Sequence, residues 1–158
     1  MEISDWIQSI GLFLALIGLI ITIWNNRKQL LILNDQLKLN FFSDYTKRYQ
    51  EIVLNFPENI NKNDFDFSKL SEETRNKTLR YMRAYFDLCS EEFDLHKAGY
   101  IHKRIWDNWK EGIEFAFSKK AFIDAWDIIK LDTIYYPEFS KWVNEVINTE
   151  KTRKQKNA

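Results

Sequence analysis

Residues that build many common sites are scarce in this chain of 158 residues, which has one cysteine, two histidines, two prolines and four glycines. A single cysteine excludes an internal disulfide and fits a reducing compartment. The sequence contains no GxxxxGK[ST] or GxGxxG phosphate loop, no HExxH motif and no Cys-x-x-Cys pair. It also lacks Asn-Gly hairpins and strand-type alternation, so it predicts an all-α fold.

The few remaining chemical candidates are isolated residues. His96 and His102 lie six positions apart across Gly99, whereas metal ligands on a helix recur at three or four, so we interpret both as structural. Cys89 has no histidine nearby on its own helix and is expected to be buried as a small apolar residue. We therefore expect no metal, no cofactor and no catalytic site.

Three carboxylates on one predicted helix leave two interpretations open. Glu91 can pair with a second carboxylate, at either position 87 or position 94, to form a site for acid–base chemistry. Carboxylates at this spacing are equally common as ion-pair partners of bases on the same helix, here Arg83 and Lys97.

One stretch contrasts with the rest, because residues 6–24 carry no charge and begin and end with tryptophan. About 20 apolar residues are enough to cross a bilayer as a helix, and tryptophan favours the headgroup layer. A signal peptide would have bases before the run and a small-residue cleavage site after it, which this sequence lacks. A core helix would have a shorter apolar run. The stretch therefore predicts a transmembrane helix.

The bases predict its orientation. Arg27, Lys28 and Lys38 all follow the span, and bases near a membrane stay on the cytoplasmic side. We expect a single-pass protein of the cell inner membrane with its N-terminus outside and its C-terminal domain in the cytoplasm.

Small and polar residues follow one face of the predicted span, at spacings that alternate between four and three. They are Ser4, Gln8, Gly11, Ala15, Gly18, Thr22, Asn25 and Gln29. Helices associate in lipid through close approach at such residues, so this stripe predicts a self-association face. One interpretation is a packing seam in a homo-oligomer. The other is a pore lining, which requires four or more copies because a single span cannot enclose a pore.

We predict five segments: an extracytoplasmic N-terminus (1–5), the transmembrane helix (6–24), a juxtamembrane helix (25–56), a cytoplasmic helical domain (57–149) and a flexible basic tail (150–158). The whole chain has a net charge of zero, and bases exceed acids by three just after the span and again in the tail. The domain between these two segments is therefore mildly acidic. That distribution differs from a generic nucleic-acid binder and places bases near anionic lipid headgroups.

Helix signals recur along the chain. Apolar residues at spacings of three and four continue the first helix past Trp24 until Pro57 ends it. Unbroken, this helix would be roughly 75 Å long, and it could break near Asn25 or Asn40. After an irregular connector over 57–70, Ser71 is expected to cap a second helix that ends before Gly99. Two shorter apolar helices follow, and Pro137 opens the last helix. The architecture is a transmembrane helix continuing into a long juxtamembrane helix and a small helical bundle.

The second helix carries bases beside aromatic residues. Lys77, Arg80 and Arg83 recur at three, with Tyr81 and Tyr85 beside them. Bases can hold a phosphate and aromatic rings can stack a nucleobase, so these five residues are candidate ligand contacts. The alternative is a solvated helix face that pairs with nearby acids.

Three motifs carry a resemblance: Tyr45-Thr-Lys-Arg-Tyr-Gln-Glu-Ile with Pro57, Tyr81-Met-Arg-Ala-Tyr-Phe-Asp-Leu-Cys-Ser-Glu-Glu, and Trp106-Asp-Asn-Trp. Over most of residues 40–115 the chain resembles a family of small bacterial proteins with one N-terminal span and a helical cytoplasmic domain. In layout it is similar to membrane effectors of anti-phage defence, including the channel partner of a nucleotidyltransferase in Hailong-type pairs. This second resemblance implies a nucleotide or oligonucleotide signal, or a partner nucleotidyltransferase, and a span that depolarises the cell.

Three hypotheses follow. The first is an oligomeric membrane effector, channel-like and gated by its cytoplasmic helical domain. The second is a membrane-tethered interaction module without conductance. The third is an enzyme acting at the membrane surface, which would depend on a carboxylate such as Glu92 or on a histidine.

Overall fold

The computed structural model describes residues 3–156, with side chains from Trp6 onwards, and all its regular elements are helical. The helices are α1 (Ile3–Val53), α2 (Glu72–Lys97), α3 (Lys103–Phe117), α4 (Lys120–Ile129) and α5 (Pro137–Lys156). A short 3₁₀ helix, Phe67–Lys69, interrupts the connector between α1 and α2. The predicted all-α fold is confirmed, with one long apolar N-terminal helix followed by a small helical bundle.

The chain divides into two compact units, residues 1–47 (the first unit) and residues 48–158 (the second unit). The described part of the first unit consists of α1 alone, which is continuous through Asn25 and Asn40, where a break was considered. Its most apolar window is long enough to span a membrane, and none of that window is buried. A core helix would bury such a window, so its exposure favours a membrane span.

Aromatic residues form the core of the second unit. Phe86 of α2 stacks on Phe117 of α3 at 5.2 Å between ring centroids, and both rings lie nearly perpendicular to the ring of Trp126 of α4. Phe139 of α5 completes the cluster at 5.9 Å from Trp126. Edge-to-face contacts of this kind add to the burial of large apolar surfaces, so four helices share one core.

The local signals that predicted helix ends are confirmed. The hydroxyl of Ser71 accepts a hydrogen bond from the backbone N–H of Thr74, and α2 ends before Gly99, which has a φ of 80°. Only glycine adopts this left-handed conformation without strain. Pro137 is the first residue of α5. In the connector, Phe65 and Phe67 are buried, and their ring centroids lie 5.1 Å apart. The two rings anchor this loop to the core.

Two helix ends differ from expectation. α1 ends at Val53, four residues before Pro57, so the juxtamembrane helix is shorter than the predicted segment 25–56. At the other terminus, the tail expected to be frayed is helical through Lys156, and residues 157 and 158 lie outside the described part. An ion pair between Arg153 and Glu150 and a hydrogen bond from Lys154 to the Ser118 carbonyl stabilise this last turn.

Candidate functional site

The stripe of small and polar residues on α1 is exposed from Gln8 onwards. Among its predicted members, Gln8, Gly11, Ala15, Gly18, Thr22 and Asn25 all lie on the helical surface. A Cβ added at Gly11 or Gly18 would meet nothing within 4 Å, so the chain itself does not fill the shallow groove there. The side chain of Ser4 lies outside the described residues.

Thr22 is partly satisfied within the helix, because its hydroxyl donates a 2.8 Å hydrogen bond to the carbonyl of Gly18. This bond lets a polar residue lie in an apolar environment without an unpaired donor. The stripe therefore presents a surface that another helix can approach closely, with few unpaired polar groups at its centre.

The five candidate ligand contacts on α2 do not form one surface. Lys77 and Arg80 are exposed, and the Lys77 ammonium lies 6.0 Å from the centroid of the half-buried Tyr81 ring. Tyr85 points the other way, since it is 4 % exposed and packs against Phe122. Only Lys77, Arg80 and Tyr81 share an accessible face.

Arg83 is engaged elsewhere. Its guanidinium donates to both carboxylate oxygens of Asp132, at 2.8 and 3.0 Å, and also contacts the hydroxyl of Thr133. This bidentate contact joins α2 to the segment between α4 and α5, and the guanidinium holds the pKa of Asp132 below its usual value. Arg83 thus has a structural role that its position in the sequence did not reveal.

The ion pairs of α2 differ from those expected within the helix. Lys97 pairs with Glu138 of α5 at 3.1 Å, and Glu91 pairs with Arg48 at 2.9 Å. Arg83 likewise pairs with Asp132 rather than with an acid of α2. The direct ion pairs of Arg83 and Lys97 are thus with residues outside α2, although the charge of Arg83 also opposes the rise that burial causes in the pKa of Asp87, four residues later on the same helix. Tertiary partners compete with the weak attraction between neighbours on a helix.

The two histidines have different environments. The His102 side chain caps α3 by accepting a hydrogen bond from the backbone N–H of Arg104 at 3.2 Å. His96 stacks on Trp106, with ring centroids 4.7 Å apart and planes 6° apart, but its Nδ1 atom has no hydrogen-bond partner among the described residues. Within residues 3–156, no group of three or more His, Cys, Asp or Glu side chains is placed to hold a metal ion.

A buried polar line runs along α2. Tyr85, Cys89 and Glu92 recur at four and three, and all three are buried, with Glu92 only 6 % exposed. Burial raises the pKa of Glu92 to about 8, Arg48 opposes that rise, and Glu91 adds to it. Burial also raises the pKa of the Cys89 thiol, and the nearby Glu92 carboxyl raises it further. Near neutral pH, a carboxyl with this pKa is mostly protonated.

The sequence predicted the burial of Cys89 but not that of Glu92. The sequence placed Cys89 on an apolar face, and its burial is confirmed. The burial of Glu92 was not expected, since glutamate is rarely buried unless it is paired or protonated. A usable signal was present, because Glu92 lies three residues after Cys89 and seven after Tyr85, on the helix face that is otherwise apolar.

Comparisons with protein-family models, with curated proteins and with solved structures found no match to this chain. The resemblances drawn from the sequence therefore remain predictions.

Proposed function

We propose that this protein is an oligomeric, ion-channel-like membrane effector of bacterial anti-phage defence, gated by its cytoplasmic helical domain. In this proposal α1 crosses the cell inner membrane once, with the N-terminus outside, and at least four copies assemble around a pore. The assignment to defence comes from the resemblance in layout described above.

The observation that carries the proposal is the exposed stripe on α1. Its glycines leave open space at the helix surface, and the apolar window around them is entirely unburied. In lipid, a helix gains little by hiding apolar side chains, whereas close contact at small residues favours association. Gln8, Thr22 and Asn25 would supply polar rings in such an assembly, and the glycines would line its narrowest part.

The test is the membrane potential of bacteria on induced expression, followed with a voltage-sensitive dye. The variant Gly11→Leu/Gly18→Leu fills the stripe and should abolish depolarisation. Leucine favours membrane insertion, so loss of the span does not explain that result. The matched control, Ser9→Leu/Ile20→Leu, places leucines on the opposite helical face and should depolarise as the parent does. Equal depolarisation by the parent and the glycine variant contradicts the proposal.

The second candidate is a membrane-tethered interaction module without conductance. Leu30, Leu33 and Leu37 recur at three and four on α1 beyond the span, and each is at least half exposed. Such a seam can join copies of the chain without forming a pore. This module would keep its activity when residues 6–24 are replaced by an unrelated transmembrane helix, whereas the channel would lose it.

A further inference from the structure

We infer that the second unit carries a binding site for anions with more than one phosphate group, between the start of α4 and the last turns of α5. We call this surface the basic concavity. The inference deepens the proposed function and rests on it for its biological meaning, because a phosphate-bearing signal would be received here rather than on the predicted face of α2.

The basic concavity consists of two adjoining depressions of about 550 and 370 Å³. They share Asn63 of the connector and Lys154 of α5, so a single ligand can contact both. The lining residues come from three separate parts of the chain: Asn63, Ser118, Lys119, Lys120, Ile123, Asp124, Glu150, Lys151, Arg153 and Lys154.

Bases outnumber acids in this lining by five to two, and both acids are neutralised locally. Asp124 forms an ion pair with Lys120, and Glu150 forms one with Arg153 at 3.5 Å. Neighbouring pairs of this kind cancel much of each other's field at a distance. The surplus charge therefore lies on the remaining lysines.

Those lysines, Lys119, Lys151 and Lys154, form no ion pair with a described acid. The Lys154 ammonium donates to the Ser118 carbonyl at 2.9 Å, and the Lys119 ammonium lies 3.9 Å from the centroid of the Phe115 ring. Each contact leaves N–H donors of the ammonium available, since lysine has three. Three ammonium groups and the Asn63 amide can thus donate to phosphate oxygens.

The concentration of bases is local and not a property of the whole unit. Residues 51–149 carry an excess of four acids, whereas residues 150–156 carry four bases and one acid. Folding brings the basic end of α5 against Lys119 and Lys120, more than thirty positions earlier in the chain. Such a focused positive surface favours a compact polyanion over a long nucleic-acid backbone. Phosphate groups of this kind occur on nucleotides and on anionic lipid headgroups.

The test is binding of tripolyphosphate to the full chain in phosphatidylcholine nanodiscs, by isothermal titration calorimetry. Lys119→Gln/Lys151→Gln/Lys154→Gln should weaken binding by about tenfold or more, because three charge-assisted contacts are lost. The control, with glutamine at Lys97, Lys103 and Lys141, makes the same change in net charge and should bind as the parent does. Circular dichroism checks that both variants fold.

A second arm measures co-sedimentation of the same proteins with phosphatidylcholine vesicles that contain cardiolipin, an anionic lipid whose headgroup carries two phosphates. Selective loss of tripolyphosphate binding assigns the site to a soluble phosphate ligand, and selective loss of vesicle binding assigns it to a lipid headgroup. No binding of either probe, or equal weakening by both triple variants, overturns the inference. Binding is independent of conductance, so a chain that binds tripolyphosphate but releases no ions from liposomes, either with or without tripolyphosphate, would refute the proposed function and leave the site standing.

Discussion

At the scale of single residues, Glu92 is the most informative side chain. Its carboxyl is buried beside the Arg48–Glu91 ion pair, and burial raises its pKa to about 8 from 4.5. The folded chain therefore binds a proton that the unfolded chain releases between these two values. The stability that this group contributes is fully present below pH 4.5 and is lost as the pH rises to about 8.

We predict that Glu92→Gln removes this loss, because glutamine resembles the protonated carboxyl and never ionises. The variant and the parent should have similar stability near pH 5. Near pH 9 the variant should be more stable by a few kcal/mol, because a pKa raised by one unit on folding corresponds to about 1.4 kcal/mol of unfolding free energy. Thermal unfolding of the full chain in detergent, followed by near-ultraviolet circular dichroism, measures the difference. Exposed Glu145→Gln is the control. A pH-independent difference between Glu92→Gln and the parent would contradict the assignment.

At the scale of elements, α1 carries two exposed surfaces in succession that we propose as association surfaces. The stripe lies within the apolar window, and Leu30, Leu33 and Leu37 follow it. Gln29, Asn34 and Gln36 flank these leucines and are uncharged, so these three positions add no like charges beside the seam. The nearby charges Asp35 and Lys38 instead contact each other at 3.7 Å. Identical helices inserted in one direction place equal residues at equal depth, which suits a parallel assembly.

We predict that Leu33→Cys forms disulfide-linked dimers in membranes treated with a mild oxidant, because the leucine seam brings equal positions together. Asp35→Cys, two residues away on the opposite face, should cross-link weakly. The native Cys89 does not interfere, since it is buried and its thiol pKa is raised by that burial. Gel electrophoresis without reductant measures both products. Equal cross-linking at positions 33 and 35 would show that the seam does not join copies.

At the scale of the whole molecule, local signals predicted the elements well. Ser71, Gly99 and Pro137 each act through their own backbone geometry, so their roles are readable from neighbouring residues alone. Phe65 and Phe67 of the connector are likewise buried, as large apolar side chains usually are.

Features that depend on packing between distant residues could not be read in the same way. Arg83 pairs with an acid 49 positions later, and Arg48 with one 43 positions later. The basic concavity joins Lys119 to Lys151 only because α4 and α5 pack in one unit. Arg83 and Arg48 each have an acid three or four positions away on their own helix, and only tertiary geometry selects between that acid and a distant one.

The proposed channel requires that copies of α1 form an ion-conducting assembly through the glycine stripe. The most direct measurement is ion release from liposomes that contain the purified full chain, with and without tripolyphosphate. We predict that the parent and Ser9→Leu/Ile20→Leu release ions in at least one of these conditions, and that Gly11→Leu/Gly18→Leu releases none in either. Retention of ions in both conditions by liposomes with the parent, or equal ion release by the glycine variant and the parent, would show that the glycine stripe does not build an ion-conducting assembly.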